Sequence, residues 1–151
     1  MAASKLGTRT ITQVGIVVRD IETKAEAYAR LLGVDVPEII TTAPEQEAHT
    51  RFRGASCPAR ARLAFFDTGA VQLELIEPVD GPSTWREFLD RKGEGVHHIA
   101  FQVTDTDAVT QRLEQVDIPV IQQGDYAGGR YTYVDGEQSL GLVIELLENL
   151  D

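Results

Sequence analysis

The sequence predicts an α+β protein in which two paired βαβββ modules form an open, curved mixed sheet around a cleft. Three observations support this prediction: a strand–helix pattern occurs twice along the chain, the two start strands match, and the two end strands match. The start strands align QVGIVV, from Gln13, with HIAFQV, from His98. The end strands align LELIE, from Leu73, with IELLE, from Ile144. Because neither half could bury its sheet face alone, we expect the halves to share one core.

The repeat also sets the expected domain organisation. We expect residues 1–151 to form a single domain built of two modules, residues 8–78 and 95–149. A helix-containing linker at 79–94 joins them. A chain of 151 residues suits this arrangement, because a domain of that size buries about 68–70% of its unfolded surface.

The first module is predicted to open with a strand and a helix. The run ITQVGIVV at 11–18 is rich in the β-branched residues that favour strands. Asp20 then stands where a helix N-cap belongs, and Gly33 stands just after the end of the apolar helical pattern. Three shorter strands are predicted at 47–53, 61–66 and 71–76.

The linker and the second module follow the same logic. Thr84 and Glu87 have the spacing of a capping box, which predicts a short helix in the linker. The second module then opens with a strand at 96–103 and a helix capped by Asp105 or Thr106. Its remaining strands are predicted at 119–122, 130–134 and 142–147.

Composition excludes several classes of function. The net charge is −10, from 24 acidic and 14 basic side chains, and such a chain repels nucleic-acid backbones. Cys57 is the only cysteine, so no disulfide framework forms within the chain, which fits a reducing compartment. No apolar run approaches the roughly 20 residues that span a bilayer. We therefore expect a cytoplasmic protein without nucleic-acid or membrane partners.

Strand alternation identifies the candidate site. Side chains alternate between the two faces of a strand, which places Gln13, Glu74, His98 and Glu145 on the face opposite their apolar neighbours. Any one of these residues alone would more often be an exposed or hydrogen-bonded strand residue. Together they predict a metal cleft, because two facing buried carboxylates need a cation or a shared proton between them. The donor set suits Mn²⁺, Co²⁺, Ni²⁺ or Zn²⁺. His97 has the opposite parity and is expected to be a packed or hydrogen-bonded neighbour.

Three sequence stretches carry a family resemblance. GEGVHHIAFQVTD, ELIEP and WREFLDRKG resemble methylmalonyl-CoA epimerases, within the vicinal-oxygen-chelate (glyoxalase/bleomycin resistance/dioxygenase) superfamily. The resemblance implies a glyoxalase-like fold, a homodimer and a divalent metal ion. It also implies metal ligands at Gln13, Glu74, His98 and Glu145.

The chain departs from the epimerase pattern at three places. Epimerases usually have histidine at the position of Gln13 and often glutamine at that of Glu74, so this ligand set is closer to some glyoxalase I enzymes. The epimerases use a pair of glutamates on opposite sides of the substrate. One matches Glu145, and the position of the other aligns with Thr50 here. The turn VDGEQSLG replaces a His-Pro-Lys-type turn.

The resemblance implies removal of a proton α to a carbonyl group, with Glu145 as the base. His49 is the candidate acid on the opposite face of the substrate. The leading prediction is therefore a metal-dependent epimerase or isomerase acting on an acyl-CoA thioester or a 2-oxo compound. The alternatives are a lyase of the glyoxalase I type, similar to lactoylglutathione lyase, and a non-catalytic small-molecule-binding resistance protein. An extradiol dioxygenase is disfavoured because the predicted site offers one histidine instead of two.

Overall fold

The computed structural model describes residues 3–150, and its central feature is a ten-stranded mixed sheet that curls into a half-barrel. The strands are β1 (Ile11–Val17), β2 (Ile40–Thr41), β3 (Arg51–Phe52), β4 (Ala55–Ser56), β5 (Ala61–Asp67), β6 (Gln72–Pro78), β7 (Gly95–Gln102), β8 (Val120–Tyr126), β9 (Gly129–Val134) and β10 (Val143–Asn149). The helices are α1 (Ile21–Leu32), α2 (Glu45–Ala48), α3 (Thr84–Lys92), α4 (Thr106–Glu114) and α5 (Glu137–Leu140).

The order of the strands confirms the predicted curved mixed sheet. That order is β2-β5-β6-β1-β7-β10-β9-β8-β3-β4. The two start strands, β1 and β7, pair antiparallel at the centre, and each lies parallel to the end strand that follows it, β6 or β10. The four strands that carry the predicted polar residues are therefore direct neighbours.

Helices α1 and α4 pack on the convex face of this sheet, and α3 packs on its concave face. Ile21 of α1 packs in one apolar cluster with Leu75, and Val109 of α4 packs in another with Leu146. On the concave side, α3 inserts Trp85 into a separate cluster. Within residues 3–150, no helix is long and apolar enough to cross a membrane.

The predicted ends of α1 are confirmed. The side chain of Asp20 accepts a hydrogen bond from the backbone N–H of Thr23 at 3.2 Å, which satisfies a free donor in the first turn. Gly33 ends the helix in the left-handed region, with φ of 70°, where glycine carries no Cβ penalty.

The predicted cap of α3 is wrong by one residue. Ser83 is the N-cap, and its hydroxyl accepts from the backbone N–H of Arg86 at 3.0 Å. Thr84 is the first helical residue, and its hydroxyl lies 3.0 Å from Nε2 of His97 instead. The Thr84 hydroxyl, which the local pattern assigned to the cap, is therefore engaged in a tertiary hydrogen bond instead.

The strand predicted at 47–53 is also corrected. Residues Glu45–Ala48 form α2, and only Arg51 and Phe52 are in a strand. That strand, β3, pairs with β8 in the second half of the chain, opposite Gln122 and Gln123. The edge strand beside β5 is instead the short β2. The strand's partner lies far away in the sequence, so the local pattern could not place it.

Candidate metal centre

The four central strands bring Gln13, Glu74, His98 and Glu145 together on the concave face. Their relative exposures are 5%, 6%, 0% and 4% in that order. The three ionisable side chains offer ligand atoms that all lie within 4.8 Å of one another. The amide of Gln13 donates from Nε2 to Gln72 at 2.8 Å, which turns its Oε1 toward His98.

The atoms of this group converge on one imidazole nitrogen. Nε2 of His98 lies 2.9 Å from Oε1 of Gln13. It lies 3.5 Å from Oε1 of Glu74 and 3.3 Å from Oε1 of Glu145. These two carboxylate oxygens are buried and accept no hydrogen bond from any residue within 3–150. Buried, unpaired carboxylate oxygens are costly, and a divalent cation between them and the imidazole removes that cost. The residues therefore fit a divalent metal ion.

The pKa of Glu74 is strongly shifted when no cation is bound. Burial raises the pKa of its carboxyl well above the ordinary value, and the neighbouring charge of Glu145 raises it further. In the metal-free protein this carboxyl therefore keeps its proton to a higher pH than an exposed glutamate does. Because a metal ligand must be deprotonated, metal binding at neutral pH should release protons.

This perturbation gives a prediction for the stability of the metal-free protein. The folded state holds the Glu74 proton above pH 4.5, the ordinary pKa, where the unfolded chain loses it. The free energy of unfolding should therefore fall as pH rises through this window, by up to about 1.4 kcal/mol per pH unit. Glu74→Gln lacks the titrating group, so its stability advantage over wild type should grow with pH. Chemical unfolding in a chelator across pH 4.5–8 measures this advantage, and a constant difference would contradict the assignment.

His97 contacts His98 on the same side of the sheet, an arrangement that strand alternation did not predict. The register between β1 and β7 shifts so that His97 is an extra residue, a β-bulge that turns both histidines inward. Nδ1 of His97 lies 3.0 Å from Nδ1 of His98. The expectation of a hydrogen-bonded neighbour agrees with the structure, but the expectation that His97 faces the other side of the sheet is wrong.

The histidine pair fixes which nitrogen of His98 faces the site. Burial lowers the pKa of His97 well below its ordinary value, and the adjacent His98 lowers it further, so the His97 ring is neutral. A neutral His97 can accept a hydrogen bond from Nδ1–H of His98 and donate one from its own Nε2–H to the hydroxyl of Thr84. In that tautomer the Nε2 lone pair of His98 faces the candidate site, where a cation could take it. Without a cation, the 2.9 Å contact with Oε1 of Gln13 requires the other tautomer, in which Nε2–H donates.

Gly15 makes room for the His98 ring. A Cβ at Gly15 would lie 2.1 Å from Cε1 of His98, so Gly15→Ala should displace the imidazole. We expect at least about a tenfold loss of metal affinity and about 1–3 kcal/mol of destabilisation. Gly95→Ala is the matched control, because its Cβ would meet Phe88 only at 3.8 Å. Metal titration and thermal unfolding compare the two variants, and equal effects would refute the role of Gly15.

The structure does not bring His49 into this group. His49 ends α2, its side chain is 69% exposed, and its Nδ1 lies 3.0 Å from Oδ2 of Asp125. Asp125 pairs with Arg130 across β8 and β9, so it faces the convex side, opposite to Gly124. The geometry therefore does not support the predicted role of His49 as the opposite-face acid.

Two tyrosines of β9 border the candidate site, and the sequence interpretation missed them. The ring of Tyr133 lies 5.2 Å from that of His98, and its hydroxyl accepts from Nε1 of Trp85 at 3.1 Å. Tyr131 lies two residues earlier on the same face, 5.1 Å from Tyr133. The available signal was their parity, because both alternate with Thr132 and share the concave face.

Comparison with known proteins places this chain in a family. The sequence profile of the Glyoxalase/Bleomycin resistance protein/Dioxygenase superfamily matches residues 12–134. The chain belongs to this superfamily. Its fold and its buried Glu74, His98 and Glu145 group agree with the resemblance inferred from the sequence.

Relatives of this superfamily member include both uncharacterised proteins and epimerases. It is 28% identical over 141 residues to the uncharacterized protein YqjC of Bacillus subtilis, covering 91% of each chain. It is 28% identical over 116 residues to the ethylmalonyl-CoA/methylmalonyl-CoA epimerase of Cereibacter sphaeroides, covering 76% of each. A solved structure of a Streptomyces coelicolor methylmalonyl-CoA epimerase variant in complex with 2-nitronate-propionyl-CoA superposes with a TM-score of 0.63 at 25% identity, covering 94% of this chain and 98% of that one.

Proposed function

We propose that this superfamily member is a metal-dependent epimerase or isomerase that removes a proton from the carbon next to a carbonyl group. The proposed substrate class is an acyl-CoA thioester. The observation that carries the proposal is the pair of buried, unpaired oxygens of Glu74 and Glu145 that face Nε2 of His98. With the amide oxygen of Gln13, they make a four-ligand set for a divalent ion, Co²⁺, Mn²⁺, Ni²⁺ or Zn²⁺.

A bound divalent cation would supply Lewis-acid stabilisation for the negative charge that develops on a carbonyl oxygen. The chain's own groups supply the proton chemistry. Glu145 is the proposed base, because its carboxylate lies beside this centre and on the strand next to the tyrosines of β9. Glu74 lies on the other side of the start strands, on β6. Gln13 and His98 are proposed to position the ion.

The proposed substrate class draws support from the relatives. Two of the similar proteins are named as epimerases of CoA thioesters or of a valiolone, and a structural neighbour holds an acyl-CoA ligand. Epimerisation is the reaction that these names share. A site with one metal and one adjacent carboxylate suits this reaction, because it needs charge stabilisation and a base.

The proposed function is tested by proton exchange in D₂O. The metal-stripped protein is incubated with (2R)- or (2S)-methylmalonyl-CoA, without ion and after addition of Co²⁺, and ¹H NMR follows the α-proton. We expect deuterium uptake and inversion only after the ion is restored. An absence of α-deuterium uptake with the ion bound would refute the epimerase proposal.

A second candidate function follows from the ligand set. Glutamine at position 13 and glutamate at position 74 resemble the ligands of some glyoxalase I enzymes, which act on thiol adducts of 2-oxoaldehydes. The same metal and Glu145 could move a proton between neighbouring carbons of such an adduct. Isomerisation of the hemithioacetal of methylglyoxal and glutathione, followed by thioester absorbance, distinguishes this lyase from the epimerase.

A further inference from the structure

Tyr131 reaches across the wall of the half-barrel. Its backbone lies on β9, opposite Gly124 of β8. A Cβ at Gly124 would lie 2.7 Å from Cε1 and 2.8 Å from the hydroxyl oxygen of Tyr131, so the phenol lies directly over that glycine. The hydroxyl therefore stands above β8, on the far side of β9 from Glu145 of β10.

The Tyr131 hydroxyl accepts a hydrogen bond and does not use its own proton as a donor within the described chain, as the directions of the neighbouring hydrogen bonds show. The backbone N–H of Thr84 lies 2.9 Å from the amide of Gln122 and can only donate, so that contact is with Oε1. The Nε2 of Gln122 therefore faces Tyr131, at 3.1 Å, and donates to the hydroxyl oxygen. Within residues 3–150, the phenol donates its own proton to no other group.

The surroundings keep this phenol neutral, and one aromatic ring separates it from His98 of the candidate metal centre. Burial is the largest effect and raises the pKa of Tyr131; the hydrogen bond from Gln122 lowers it in part, and the charge of Glu145 raises it again. Tyr131 lies 5.1 Å from Tyr133, whose ring is 5.2 Å from that of His98. Tyr133 is fully buried, whereas Tyr131 is partly exposed and therefore borders the opening.

We propose that Tyr131 is the acid that delivers a proton to the substrate carbon from the face opposite Glu145. The inference rests on the proposed function. The epimerase resemblance aligns Thr50 with the second glutamate of that family. The pairing of Arg51 with Gln123 puts Thr50 beside Gly124, below the Tyr131 ring. The Tyr131 phenol thus lies beside the position at which this chain has Thr50 in place of the second glutamate. In this proposal Tyr131, and not His49, is the opposite-face acid.

The proposed step balances without a redox partner. The carboxylate of Glu145 takes the α-proton, and the C–H electron pair becomes part of the enolate. The O–H bond of Tyr131 then breaks, and its proton bonds to the carbon from the opposite face. The products are the inverted substrate, protonated Glu145 and a Tyr131 phenolate that the Gln122 N–H stabilises. Exchange with solvent restores both groups, and the reverse reaction uses them in the opposite roles.

Tyr131→Phe tests the assignment through two separate readouts. In D₂O with Co²⁺ bound, we expect one epimer of methylmalonyl-CoA to exchange its α-proton within about threefold of the wild-type rate. Inversion should fall by at least about 100-fold. The other epimer should neither exchange nor invert. Co²⁺ affinity should be unchanged, because Tyr131 is no ligand. Tyr126→Phe, a neighbouring and more exposed tyrosine of β8, is the matched control and should behave as wild type.

A second variant keeps the test informative if the ring change disturbs the fold. Gln122→Met preserves size but removes the Nε2 donor, so it should slow inversion about tenfold with less effect on exchange. Unchanged inversion in Tyr131→Phe would overturn the Tyr131 assignment. Equal loss of exchange from both epimers with the ion retained would overturn it as well. A wild-type protein without exchange or inversion would instead refute the proposed function, and this assignment with it.

Discussion

Glu145→Gln should lower α-proton exchange by about 10²–10⁴-fold, the usual contribution of a positioned general base. The amide keeps an oxygen at the position of a proposed ligand but cannot take a proton at neutral pH. The rate is measured by ¹H NMR with methylmalonyl-CoA in D₂O at saturating Co²⁺. Metal content is determined on the same samples, so that loss of the base is separated from loss of the ion.

The matched control for this prediction is Glu47→Gln. Glu47 is an exposed glutamate of α2 that lies near the position of the family's second glutamate in the sequence. It should leave exchange and metal content unchanged. If Glu145→Gln with bound Co²⁺ exchanges the α-proton at the wild-type rate, Glu145 is not the base.

His98→Ala should weaken metal binding by at least about 100-fold, because it removes the only nitrogen ligand of a buried centre. The two unpaired oxygens of Glu74 and Glu145 would then face each other across a cavity. Exchange should fall with metal occupancy, and a large excess of Co²⁺ should restore little of it. Calorimetric titration of the metal-stripped protein with Co²⁺ measures the change, and thermal unfolding confirms that the variant is folded.

His49→Ala is the control for the histidine prediction. His49 is exposed and paired with Asp125 on the convex side, so its removal should change neither metal affinity nor inversion. A loss of inversion in His49→Ala, with the ion retained, would restore His49 as the opposite-face acid. Wild-type affinity in His98→Ala would show that the ion, if bound, is held elsewhere.

Strand alternation predicted that the four side chains of the candidate centre share one face of the sheet, because the period of two needs no knowledge of tertiary structure. Gln13, Glu74, His98 and Glu145 each lie within a long central strand, and the internal repeat showed that these strands correspond. His97 was placed on the wrong face because a one-residue bulge breaks the period locally. No pattern in the stretch VHHIAF distinguishes a bulged strand from a regular one.

Features that depend on distant partners could not be predicted. The segment at 47–53 forms a short helix and a two-residue strand because its partner, β8, belongs to the second half of the chain. A series of hydrogen bonds runs from His97 through Thr84 and Gln122 to Tyr131, and it joins four separate elements. In the sequence, these residues look like ordinary strand and helix positions. The predicted homodimer and the module boundaries 8–78 and 95–149 stay predictions.

We propose that the four central strands hold one divalent ion. Titration of the metal-stripped protein with Co²⁺, followed by visible absorption, tests it most directly. Binding should saturate at one ion per chain, with proton release at neutral pH, and should be lost when Glu74 and Glu145 are both replaced by glutamine. No binding by the wild-type protein, or equal binding by the double variant, would contradict the claim.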